Sequence, residues 1–152
     1  MAMAQFKVAL IVGSNRRESV NRKLAQALAK LGEPGGVEAA TEAMALLDAT
    51  PAQESLPILR SVCGAACLAA GDRRARAILE EARDEATARG EVWWLAETLR
   101  LLAEAIATEG DATAAAELVD EAERIATAQG AKLLLPRIAA TRARLGQVAN
   151  AG

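Results

Sequence analysis

The sequence predicts a mainly α-helical chain, a series of helical hairpins preceded by one short βα segment. Three observations predict it. After Gly36, apolar and small residues recur at three- and four-residue spacing in one stretch after another. Glycines close those stretches at a steady interval, 39 residues from Gly71 to Gly110 and 40 from Gly90 to Gly130. The run Lys7–Val12 differs from all of them. It is short, apolar and rich in β-branched residues, and it ends at Gly13.

Lys7–Val12 has the length and composition of a strand buried on both faces. A loop, Gly13–Val20, follows it. Ser19 and Asn21 offer side-chain caps for a helix. Leu24, Ala27, Leu28 and Leu31 then mark one face of that helix, with Lys and Arg opposite. Gly32-Glu-Pro-Gly-Gly36 is a breaker cluster. It divides the chain into a βα segment, residues 1–36, and a helical repeat domain, residues 37–152.

In the second part, Val37–Leu47 reads as an alanine-rich helix. Thr50-Pro51 suits the start of the next, which runs to about Ala70 with Leu56, Leu59, Cys63, Ala66 and Cys67 inward. Gly71-Asp72 ends it. Ala75, Ile78, Leu79, Ala82 and Ala86 define the following helix, closed near Gly90. Val92, Leu95, Leu99, Leu102, Ala103 and Ile106 define another, closed by Gly110-Asp111. Ala115, Leu118, Val119, Ala122 and Ile125 define a further one, ended at Gly130. A last helix falls within Ala131–Leu145. Pro136 must delay or kink it, because proline lacks the amide proton a helix interior needs. The small residues Ala103 and Ala115 are expected to face one another at close approach.

Composition bounds the chemistry. The 152 residues suffice for one core and include no histidine and no tyrosine. A histidine-based acid, base or metal site is therefore excluded. The aromatic residues are Phe6, Trp93 and Trp94, too few for a base-stacking platform. Net charge is −2, with +4 on residues 1–33 and −6 on the remainder. The acidic remainder argues against nucleic acid as a partner. No apolar run is long enough to cross a membrane, and the N-terminus lacks the pattern of a secretory signal. A cytoplasmic protein is expected, in keeping with two cysteines, Cys63 and Cys67, read as small core residues rather than zinc ligands. The acidic clusters at 80–85 and 117–123 read as solvated faces pairing locally with Arg83 and Arg124. Of Trp93 and Trp94, about 100° apart on a helix, one is expected to pack and the other to lie exposed.

Residues 56–146 resemble tetratricopeptide-type repeats, in particular the long variant found in the sensor arms of signalling ATPases and cyclases. The residues that carry the resemblance are Leu102-Ala103, Ile106, Gly110-Asp111, Ala115, Val119 and Ala122. Gly64, Cys67, Gly71-Asp72, Ala75, Leu79 and Ala82 repeat the pattern one hairpin earlier. The resemblance implies a non-catalytic scaffold of about two and a half hairpins that binds another protein or a peptide.

Residues 6–33 resemble the first strand, loop and helix of the NADPH-dependent FMN reductase family, which has a flavodoxin-like fold. The motif is Gly13-Ser14-Asn15-Arg16-Arg17-Glu18-Ser19-Val20-Asn21. It implies an FMN phosphate held by Ser14, Arg16, Ser19 and Asn21, with the backbone of Val20, at a helix N-terminus. The family's later strands and its aromatic and glycine-rich loops have no counterpart after residue 36, so a flavin-binding oxidoreductase is incomplete in this chain. The lone strand needs partners for its backbone groups. It could pair with its copy in a second chain, giving a homo-oligomer, or pack against the helices. A fusion or a fragment would account for the two unlike ends.

Overall fold

A computed structural model describes residues 34–49 and 56–149. The expected strand Lys7–Val12 and the loop residues Ser14, Arg16, Ser19 and Asn21 lie outside the described residues. So does the Thr50-Pro51 helix start. The described residues form α-helices joined by turns, with no strand among them. In order these are α1 Pro34–Asp48, α2 Leu56–Ala69, α3 Ala75–Arg89, a 3-10 turn Val92–Trp94, α4 Leu95–Thr108, α5 Ala112–Ala128 and α6 Leu135–Ala149.

Three boundaries differ from the sequence reading: α6 runs past Leu145 to Ala149, and two helix starts also shift. α1 begins at Pro34, not at Val37. Proline suits a first helical turn, because its fixed φ is helical and its missing N–H is not needed there. The breaker cluster thus supplies the start of a helix. Val92–Trp94 is a 3-10 turn rather than the opening of α4. Pro136 acts as expected. α6 starts only at Leu135, which places the proline in the first turn.

Glycine closes four of the helix ends. Gly71, Gly90, Gly110 and Gly130 all have positive φ, between 65° and 95°. That left-handed conformation strains any residue with a Cβ. At three of these ends the chain reverses through the same pair of bonds. Asp72 N donates to Cys67 O and Gly71 N to Leu68 O. Glu91 N donates to Ala86 O and Gly90 N to Thr87 O. Ala131 N donates to Ala126 O and Gly130 N to Thr127 O. Each pair satisfies carbonyls that the ending helix leaves open. In the Gly110-Asp111 turn the aspartate then opens the next helix. Asp111 accepts from Ala114 N at 3.0 Å as the N-cap of α5.

Each helix packs on its successor, and alternate helices touch as well, α2 on α4 and α4 on α6. Short turns make successive helices antiparallel. Small residues bring them together. Ala103 and Ala115 are both fully buried, at the junction of α4 with α5. A Cβ added to Gly64 on α2 would lie 2.6 Å from Leu79 Cγ and Cδ2 on α3. Cys63 and Cys67 sit in the core between α1, α2 and α3. Burial pushes the Cys63 thiol up to about 12, and it raises Cys67 too, so both remain neutral thiols.

α4 is enclosed on nearly every side. Leu99, Leu102 and Ala103 are buried, and so are Glu97, Thr98 and Arg100. The matching face of α6, at Ala139, Arg142 and Gly146, is exposed. Arg142 there pairs with Asp120 and Glu123 of α5 at 2.5 and 2.6 Å.

Candidate interaction face of the alternate helices

The 39- and 40-residue intervals place Ile58, Glu97 and Arg137 at one repeat position. They place Val62, Leu101 and Thr141 at a second, and Ala65, Glu104 and Arg144 at a third. These positions fall at i, i+4 and i+7 on α2, α4 and α6, so each triplet forms a stripe along its helix. The three helices lie side by side. The combined face changes character across its width. α2 contributes half-buried apolar side chains, α4 two carboxylates, and α6 two arginines.

A charged network joins α4 to α6. Arg100 donates from Nε and Nη2 to the two oxygens of Glu97, at 2.9 and 2.8 Å. Its Nη1 reaches Glu104 Oε1 at 2.7 Å and Thr141 Oγ1 at 3.2 Å. From α6, Arg137 Nη2 meets Glu97 Oε1 at 2.6 Å. Thr141 Oγ1 donates to Glu104 Oε1 at 2.6 Å, and Arg144 Nη2 donates to the same oxygen. The Glu97 side chain is only 3% exposed, so its charge depends on these partners. Burial opposes the charge on Arg100, but its bonds to Glu97 and Glu104 more than offset this and raise its pKa. Arg137 and Arg144 remain more than half exposed. The acids are therefore covered, and guanidinium donors face outward.

Uncharged groups join α2 to α4. The Ser61 and Thr98 hydroxyls lie 2.7 Å apart, and both are buried. One hydroxyl donates to the other, and the accepting one spends its own proton on a carbonyl a turn back, Pro57 O at 2.8 Å from Ser61 or Trp94 O at 3.3 Å from Thr98. Arg60 turns the other way. It bridges Asp48 of α1 at 2.8 Å and both Glu81 and Glu85 of α3, at 3.3 and 3.0 Å.

The acidic clusters thus do more than pair locally. Arg83–Asp84 and Arg124–Glu121 are local, but Glu81, Glu85, Asp120 and Glu123 are drawn to arginines of other helices. Sequence reasoning passed over Arg60, Arg100 and Glu97 because charged residues were assigned to the solvent. The available signal was the register. Glu97, Arg100 and Glu104 fall on one stripe of a helix whose other face was already apolar, and Arg137 and Arg144 recur one period later.

A groove of about 580 Å³ lies beside the Gly71-Asp72 turn, lined by Leu68, Arg73, Arg76 and Glu109 among others. Two of its lining charges, Arg76 and Glu109, pair with each other. Arg76 pairs with Glu80 at 2.9 Å and with Glu109 at 2.7 Å. Trp93 is 56% exposed, whereas Trp94 is half-buried. Their rings meet edge to face, with centroids 5.7 Å apart. The Trp94 indole N–H is buried without an acceptor among the described residues.

No helix among the described residues is long and apolar enough to cross a membrane. Comparison with protein families, with curated proteins and with solved structures finds no match to this chain.

Proposed function

We propose that the chain is a non-catalytic scaffold, a tetratricopeptide-like stack of helical hairpins that binds a protein or peptide on the face shared by α2, α4 and α6. The observation that carries this reading is the repeat register. Three alternate, adjacent helices present equivalent positions, and those positions form an apolar strip beside outward-facing guanidinium groups. Guanidinium groups with spare donors suit a carboxylate, and the α2 strip suits an apolar anchor. The fitting ligand is an extended or helical peptide that carries both. A reducing cytoplasmic setting agrees with the buried free thiols Cys63 and Cys67.

The test is selection of peptides on the immobilised protein, followed by titration of an enriched peptide against variants. Ile58→Glu and Arg144→Ala should each weaken binding by about tenfold or more, the equivalent of roughly 1.4 kcal/mol. Circular dichroism verifies that the variants remain folded. Enriched peptides that bind all variants equally would refute the assignment of the face, and failure to enrich any peptide would refute the scaffold reading.

The Gly13–Asn21 motif favours a second reading, an FMN reductase-like oxidoreductase with the flavin phosphate on Ser14, Arg16, Ser19 and Asn21. Calorimetric titration of FMN into wild type and Arg16→Ala tests it. Tight binding lost in the variant, together with NADPH oxidation, would promote this reading above the scaffold.

A further inference from the structure

Among the described residues, the large apolar side chains left exposed are Val92, Trp93 and Leu133, at 46%, 56% and 90%. All three lie in turns, not on helix bodies. Val92 and Trp93 belong to the turn between α3 and α4, and Leu133 to the turn between α5 and α6. Trp93 and Leu133 hold the same repeat position, 40 residues apart. The two turns are also neighbours. Gln129, where α5 ends, donates from Nε2 to Val92 O at 2.7 Å. One edge of the helical stack therefore carries a compact apolar patch, well separated in chemistry from the arginine-bearing face.

The charges on this edge differ from turn to turn. The first turn carries Glu91, and the second carries Lys132. Neither makes an ion pair among the described residues, whereas Arg89, at the end of α3, already has an interaction of its own. A two-fold axis placed between the turns of two chains would exchange them. It would set the first turn of one chain on the second turn of its mate, so that Trp93 meets Leu133 and Glu91 meets Lys132, each twice. Isologous contacts of this kind use every residue of a self-complementary patch twice. That doubling lets a small patch suffice, and tryptophan is a frequent anchor at the centre of such contacts. An acidic or a basic partner would match only one of the two turns. We propose that a second copy of this chain docks on the Trp93–Leu133 edge, forming a weak two-fold dimer held by reciprocal Trp93–Leu133 and Glu91–Lys132 contacts. The area is small by the standard of stable interfaces, so the dimer is reversible and concentration-dependent. This inference is independent of the peptide-binding reading and concerns different residues.

Sedimentation velocity across a wide concentration range tests it. Wild type should pass from one chain to two as concentration rises. Leu133→Asp, at a side chain almost fully in solvent, should keep the protein monomeric with an unchanged circular dichroism spectrum. Glu91→Lys and Lys132→Glu should each be monomeric alone, since each sets like charges together. Mixed in equal amounts they should form a heterodimer. One variant is then basic at both positions and the other acidic at both, so each of the two reciprocal contacts again joins opposite charges. The double variant E91K/K132E should dimerise by itself. A wild type that stays monomeric throughout overturns the proposal. So does a dimer indifferent to Leu133→Asp, or a pair of charge variants that fails to complement.

Discussion

Gly64→Ala is the sharpest probe of how closely α2 and α3 approach. An alanine there gains about 1 kcal/mol of helix propensity over glycine. Its Cβ, however, would lie 2.6 Å from both Cγ and Cδ2 of Leu79, and 3.4 Å from Ile78 Cγ2. Leu79 is fully buried, so its branch point cannot swing into solvent. Overpacking of this kind costs about 1–3 kcal/mol. The net expectation is a loss of about 1 kcal/mol, or roughly 2–4 °C in Tm for a chain of this size. Gly146 supplies the internal control. It is also within a helix, α6, but a Cβ built there has nothing within 4 Å. Gly146→Ala should therefore stabilise by about the full 1 kcal/mol of propensity. Urea denaturation followed at 222 nm measures both, and their difference isolates the packing cost. Leu79→Ala should cost less in the Gly64→Ala background than in wild type, because the added methyl fills part of the void. If Gly64→Ala stabilises as much as Gly146→Ala, the close approach of α2 and α3 is wrong.

Further outcomes follow from the core and the network. Arg100→Leu leaves the buried Glu97 with Arg137 alone and should cost about 3–5 kcal/mol in urea denaturation, while adding Glu97→Leu should recover much of it; if the double variant is worse than the single, the pair is not the source of the loss. Trp94→Phe removes a buried N–H that has no acceptor among the described residues and should leave stability unchanged or higher, because an unsatisfied donor costs about 1–3 kcal/mol; a large loss would mean the indole has a partner. Burial raises the folded-state pKa of Cys63, so its contribution is complete below the unfolded thiol's value near ~8.5 and is lost as pH rises toward the folded value of about 12. Stability should therefore fall more steeply with pH above ~9 in wild type than in Cys63→Ala, and native Cys63 should resist alkylation until urea exposes it; equal slopes or rapid native labelling would contradict the burial. Ala103→Leu and Ala115→Leu should each cost about 1–3 kcal/mol by overpacking the α4–α5 contact, and an unchanged melting temperature in both would refute that register.

The helices after Gly36 were legible because each rests on a local pattern. Leu79, Ala82 and Ala86, or Ala115, Val119 and Ala122, form one-sided stripes, and each of the four glycine turns needs a residue that tolerates positive φ. Such features depend on neighbours within one turn of chain. The boundaries that differed also have local causes, but weaker ones. Pro34 can start a helix as readily as it can break one, and a 3-10 turn at Val92–Trp94 has the same apolar composition as a helix. The candidate face was not legible, because its meaning lies in pairs about 40 residues apart. Glu97 alone reads as a surface acid. It becomes a buried one only when Arg137, a full period later, is brought above it.

The register also accounts for why α4 tolerates charge in its interior. α4 must bury a third side, the one facing α2 and α6, in addition to those facing α3 and α5. Leucine at Glu97, Arg100 and Glu104 would make α4 apolar all round, a pattern that any neighbouring helix could cover in several registers. Bidentate pairing between Arg100 and Glu97 allows one geometry, and Thr141 and Arg144 can complete it on Glu104 only if α6 sits at the observed height. The Ser61–Thr98 contact imposes the same condition between α2 and α4. The polar groups between alternate helices therefore fix the height of α2 and α6 against α4, while Leu99, Leu102, Ala103 and Val119 supply burial between α4 and α5. The outward guanidinium groups of Arg137 and Arg144 are a consequence of that arrangement, since a cation that covers a buried acid must keep its remaining donors toward solvent.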